Sequence, residues 1–205
     1  MIETCCEIMK HSYDRNMITA RDGNVSVRWE SQPYLFITPA GVRKQQLQPA
    51  MWKKISVSRY ENGEPIIMDY TPMSEKLVPS SEYPIHSKLQ EVLPLGVENR
   101  VVMHLHPTYT TAAMHRGLDL HKLVHDFPEL GFHTKVAVSV PDVPAKSQQL
   151  GDITHEHLEL DSDGHIAYDI VGIKSHGVVS IAETPWRAFE HIERLEHICK
   201  IVLVS

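Results

Sequence analysis

Two histidines stand one residue apart in VVMHLHPT (residues 101–108), at the end of an apolar run. Side chains alternate faces along a strand, so His104 and His106 would point the same way, with Leu105 opposite. Two neutral imidazoles presented together suit a divalent metal. A pair alone is not a site, and two strand-end histidines bonded to backbone and water would show the same spacing. A third candidate, His176, falls in a Ser-His-Gly turn between two β-rich runs. A hairpin tip can hold such a ring over a neighbouring strand end, and Gly177 lets the backbone turn sharply. Three histidines from two elements would leave a coordination position open, the arrangement of a catalytic rather than a structural metal. A turn histidine facing water is the plain alternative.

VPSSEYPIH (78–86) supplies a second cluster. Hydroxyls at Ser80 and Ser81, placed at an expected helix start, combine with unpaired backbone N–H groups and the positive helix end. That combination is an anion site suited to phosphate. Glu82 follows, within reach of a metal or of a proton beside the anion, and burial would raise its pKa toward operating pH. The same three residues also serve as ordinary first-turn caps. Glu82 and His86, four apart on one helix face, form a rival metal pair with no third ligand near in sequence. The small-residue turns DGNVS (22–26) and TPAG (38–41) expose backbone N–H groups, with Asn24 as a side-chain donor. Fourteen histidines are unusual, and His121 with His125, His155 with His157, and His191 with His197 read as solvated surface.

The elements that must position these residues follow from hydrophobic period and turn signals. A helix is predicted over 2–18, and strands over VSVRW and YLFITPAG. KISVSRY and PIIMDY flank a tight turn at Asn62-Gly63. Next come a helix from Ser80-Ser81 with Ile85, Leu89 and Val92 on one face, a strand over 100–106 and a helix over 108–116. KVAVSVP reads as a strand, 147–158 as a helix, and 170–174 and 178–182 as strands around the Ser-His-Gly turn. A closing helix starts at Thr184, an N-cap with Pro185 at the first helical position. Its Trp186, Phe189, Ile192, Leu195, Ile198 and Val202 face a core. Strand pairs joined by short turns, with helices between groups of strands, give an α/β fold with a largely antiparallel sheet covered by helices.

Bulk properties exclude several classes. Of the 205 residues 42% are hydrophobic and 22% charged, an ordinary globular balance. A formal charge of −6 argues against a surface devoted to nucleic acid or to acidic membranes. No apolar stretch approaches a membrane span, and the charged, interrupted N-terminus is no signal peptide. Cys5, Cys6 and Cys199 make a poor disulfide framework, so reduced thiols in the cytoplasm are expected.

Taken in order, GNVSVR, ITPAG, PSSE, HLHP and SHGVV resemble the class II aldolase/adducin family, in its sugar-phosphate aldolase branch, from about residue 5 to the end. The resemblance implies a single α/β/α sandwich domain over 1–205 and a ring-shaped homotetramer with sites at subunit interfaces. By motif, His104, His106 and His176 match three Zn2+ ligands, and Glu82 matches the general base. Asn24, Gly41, Ser80 and Ser81 match the set that binds the phosphate of a sugar substrate. Ala40 stands where a threonine is common, which would remove one phosphate hydrogen bond. The implied reaction is cleavage of a phosphorylated ketose to dihydroxyacetone phosphate and an aldehyde. The resemblance leaves open a sugar-phosphate 4-epimerase, a sugar-acid-phosphate decarboxylase or a thiosugar-phosphate dehydratase, which use the same metal and enediolate chemistry. The non-catalytic adducin head keeps the fold, and the intact three-histidine set with Glu82 weighs against it. Iron, cobalt or manganese could replace zinc on imidazole ligands.

Overall fold

The computed structural model describes residues 1–61, 64–69 and 71–205; the turn expected at Asn62-Gly63 lies outside the described residues. In chain order the elements are α1 (Ile2–Asp14), β1 (Asn24–Trp29), β2 (Tyr34–Ile37), β3 (Lys53–Glu61), β4 (Glu64–Met68) and α2 (Tyr83–Leu89). There follow β5 (Asn99–Leu105), α3 (Thr108–His115), α4 (Leu123–Asp126), α5 (Pro128–His133) and α6 (Gln148–His157). The last are β6 (Ile170–Ile173), β7 (Gly177–Ala182) and α7 (Pro185–Val204). The strands form one sheet in the order β4-β3-β2-β1-β5-β7-β6, with every pair antiparallel.

Strand alternation divides the core into two layers. Val25, Val27, Val101, Met103, Leu105 and Val178 join Met9, Phe189, Ile192 and Leu195 from α1 and α7 in one cluster. Their neighbours Val102, Val179 and Ile181 turn the other way, to Ile85, Leu89 and Leu150 from α2 and α6. Helices thus cover both sheet faces, with β1 in the middle of the sheet, β5 next to it and β7 beyond β5. α7 begins as its sequence indicates, with Thr184 Oγ1 accepting from the Arg187 N–H.

Four elements depart from expectation. α1 stops at Asp14, after which Asn16 takes a left-handed φ of 58°. KVAVSVP is not a continuous strand. It runs parallel to β6 but bridges it only at Val136↔Ile170 and Val140↔Ile173. Its donors Ala137 N–H and Val140 N–H lie three residues apart, a spacing that breaks the regular two-residue ladder. α2 begins at Tyr83 and ends at Leu89, which leaves Val92 outside it and exposed. Trp186 is exposed rather than in the core.

Candidate active site

Asn24 and His104 are direct cross-strand partners on β1 and β5, so both side chains leave the sheet on its α2 side. His104 is fully buried, and its Nδ1 donates to the Val178 carbonyl at 2.9 Å. Its Nε2 is thereby left as a lone-pair donor, as a ligating histidine requires. His106 follows β5, held by its own N–H on the Met17 carbonyl. His104 and His106 Nε2 approach to 2.9 Å, and Leu105 lies in the opposite cluster, as period-two alternation requires.

His176 comes from the β6–β7 hairpin. Its ring centroid lies 4.8 Å from that of His104 and 4.9 Å from that of His106. The residue that bends this turn is Ser175, at φ 57°; Gly177 is not in the left-handed region. Gly177 is needed instead for space, since a Cβ there would run into the Leu105 carbonyl oxygen and lie 2.8 Å from the His106 ring. The expectation that this glycine makes the turn is corrected accordingly.

Glu82 closes the cluster. Its Oε1 is 3.1 Å from His176 Nε2, and its Oε2 is 3.5 Å from His104 Nε2. One ligand atom from each of Glu82, His104, His106 and His176 falls within 4.8 Å of the others, a group that could hold a metal ion. Neighbouring ligands around a tetrahedral ion at about 2.0–2.1 Å stand about 3.3 Å apart. His104 and His106 Nε2, 2.9 Å apart, come near that value, and His176 offers its ring nitrogen inside the same cluster. The three imidazoles therefore fit a divalent transition metal, with the Glu82 carboxylate beside them. Burial alone would raise the Glu82 carboxyl, but the charges and hydrogen bonds of His104 and His176 outweigh it and hold Glu82 well below the usual carboxylate range. The upward shift expected from burial is therefore overturned by the histidines. Burial, then His104 and His176, push His106 down to about 3. His86 is not a metal partner. It is buried and bonds to Ser26 Oγ at 2.8 Å and to Asn24 Oδ1.

A cavity of about 340 Å³ opens beside the cluster, and the structure brings Asn24, Gly41, Ser80, Ser81, Glu82, His106 and His176 together on its wall. Gly41 holds φ 73° with open space around it. Ser80 and Ser81 sit in the turn before α2, not at its start; Ser80 Oγ accepts from the Glu82 N–H at 3.3 Å. Asn24 is 3% exposed, and its Nδ2 donates to Glu82 Oε2 at 2.6 Å. One of its two amide N–H bonds is thus committed to the carboxylate rather than to an anion. Sequence reasoning missed Lys44, which lines the same wall and is 2% exposed; a lysine in VRKQQ carries no local sign of burial. It also placed His191 on a solvated flank, whereas the residue is buried under Thr134, whose Oγ1 lies 2.9 Å from its Nδ1.

Residues 3–203 match the family described as Class II Aldolase and Adducin N-terminal domain, and the chain belongs to that family. It is 20% identical over 226 residues to a methylthioribulose-1-phosphate dehydratase of Candida dubliniensis, covering 97% of this chain and 80% of that one. It is 26% identical over 192 residues to an L-fuculose phosphate aldolase of Methanococcus vannielii, covering 92% of this chain and 88% of that one. A solved L-fuculose 1-phosphate aldolase shares the fold with a TM-score of 0.76 at 18% identity, covering 99% of this chain and 84% of that one. No helix among the described residues is long and apolar enough to cross a membrane.

Proposed function

We propose that this chain is a divalent-metal lyase that cleaves a phosphorylated ketose reversibly to dihydroxyacetone phosphate and an aldehyde. The observation that carries the reading is the convergence of Glu82 with His104, His106 and His176 beside a cavity built from the GNVS, PAG and SSE turns. His104, His106 and His176 would hold the metal, with zinc the first choice for imidazole ligands. Bound there, a divalent metal would supply Lewis-acid polarisation worth several kcal/mol. Glu82, kept ionised by its neighbours, takes the proton from the carbon beside the carbonyl in condensation and returns it in cleavage. Asn24 fixes the carboxylate through Oε2. Gly41, Ser80, Ser81 and the remaining Asn24 N–H bind the phosphate, so remote binding orients the reacting carbons.

A homotetramer in the cytoplasm completes the proposal; three buried, unpaired cysteines suit a reducing compartment. A second reading is favoured by the curated relatives named dehydratase: the same site would expel water and leave the carbon chain intact.

The test is product analysis on a panel of phosphorylated ketoses, with and without a chelator. Chelator-sensitive release of dihydroxyacetone phosphate is expected. A dehydrated, uncleaved product would move the chain to the second reading. Turnover indifferent to the chelator would remove the metal from the proposal.

A further inference from the structure

Two lysines are buried at 2% exposure, and they are handled differently. Lys53 is paired with the Asp69 carboxylate and donates to the Ser74 carbonyl at 2.8 Å. Lys44, in the short turn after the PAG segment, has no carboxylate among the described residues within salt-bridge distance. Its Nζ donates to the Pro39 carbonyl at 3.2 Å, while its backbone N–H is tied to Ala20. An ammonium carries three donors, and a buried charge is normally paired. Lys44 faces the cavity shared by Gly41, Ser80 and Ser81, where the other cations, Arg21 and Lys146, are exposed.

We propose that Lys44 is the fixed positive charge of the anion cavity and selects a dianionic phosphate ester over neutral or singly charged ligands. The inference rests on the reading of this cavity as a phosphate site and adds the residue that sets its charge preference. Substrates with a carboxylate or hydroxyl in place of the phosphate would lack the second charge.

A linkage follows. Burial pushes the Lys44 ammonium down to about 8, against the opposing pull of Asp22 and Glu82. Those two carboxylates, with Arg21, Lys146, His106 and His176, are the ionisable groups on the cavity wall. A dianion seated beside Nζ favours the charged amine. Above pH 8, ligand binding therefore draws a proton onto the protein.

The probe is glycerol 3-phosphate, a non-cleavable monoester whose second pKa of about 6 leaves it fully dianionic at about pH 8.5. Calorimetric titration of the full chain, as purified and again after chelator treatment, uses two buffers of different ionisation enthalpy. Wild type is expected to bind with proton uptake. Lys44→Met should weaken binding about 10- to 100-fold and abolish the buffer dependence, and Lys44→Arg should restore most of the affinity. Equal affinity and equal proton uptake in Lys44→Met would overturn the assignment and leave the phosphate site standing. Absence of binding by wild type would overturn both. Should Lys44→Met fail to fold, equal wild-type affinity for glycerol 3-phosphate and for glycerate, its singly charged carboxylate counterpart, overturns the assignment alone.

Discussion

The two faces of the central strands are built from alternate residues of the same segments, yet they are chemically opposite. On one side Val25, Val27, Met103 and Leu105 meet α1, α3 and α7 in a dry core. On the other, Asn24, Ser26, Arg28, Arg100 and His104 meet His86 and Gln90 of the α2 region in a chain of buried hydrogen bonds. Gln90 Nε2 donates to Ser26 Oγ at 3.2 Å, Ser26 Oγ lies 2.8 Å from His86 Nδ1, and His86 Nε2 reaches Asn24 Oδ1. Burial holds His86 neutral by pushing it down to about 3, so one ring nitrogen accepts and the other donates. With Nε2–H on Asn24 Oδ1, the amide must turn its Nδ2 toward Glu82. The network thus transmits one polarity from Gln90 to the carboxylate. The contrast teaches that one face supplies stability and the other supplies orientation.

The sharpest way to break that contrast is at its end point. Glu82→Gln keeps the three histidines, so bound metal measured by elemental analysis should be unchanged while turnover falls about 10²- to 10⁴-fold. Retained turnover would take Glu82 out of the chemistry. Next comes a matched pair. Met103→Ala, on the dry face beside His104, should cost about 2–5 kcal/mol in denaturant unfolding and leave kcat of the folded protein near wild type. His86→Leu leaves Asn24 Oδ1 without its donor and the Ser26 hydroxyl proton without its acceptor. A loss of about 1–3 kcal/mol per unsatisfied group is expected, together with a fall in kcat at constant metal content. Equal effects of the two on kcat would erase the distinction between the faces.

The smallest expected effect concerns Lys44 and has the opposite sign. The unfolded chain keeps the lysine proton to about pH 10.4, the folded one only to about 8. Between those values the unfolded state binds more protons, so wild-type stability rises with pH across the window. At neutral pH the buried charge costs up to about 3 kcal/mol. Lys44→Met should therefore melt at or above wild type near pH 7, with the advantage shrinking as pH rises toward 10. A variant that melts well below wild type at pH 7 would show Lys44 to be structural.

Much of this was legible in the residue order, for reasons that differ from place to place. His104 and His106 are readable because strand period fixes their shared face. His176 is not readable from its neighbours, since its proximity depends on β7 pairing with β5; the SHGVV motif within the family pattern supplied it. Lys44 and His191 were missed because burial was imposed by distant chain, the cavity wall in one case and Thr134 in the other. The KVAVSVP segment has strand composition, but lying against β6 with bonds three residues apart it never forms a ladder. Glu82 was located correctly while its ionisation was misjudged, because burial was weighed without the two imidazoles that oppose it.

The pairing of β5 with β7, His104 opposite Val179 and Leu105 opposite Val178, has a consequence for misfolding. Slippage by a single residue would exchange the faces, driving two imidazoles into hydrocarbon and turning leucine and methionine outward to the cavity. Any variant that tolerates such a slip would lose the candidate metal cluster and the packing in the same event. The histidine cluster and the strand alignment therefore stand or fall together.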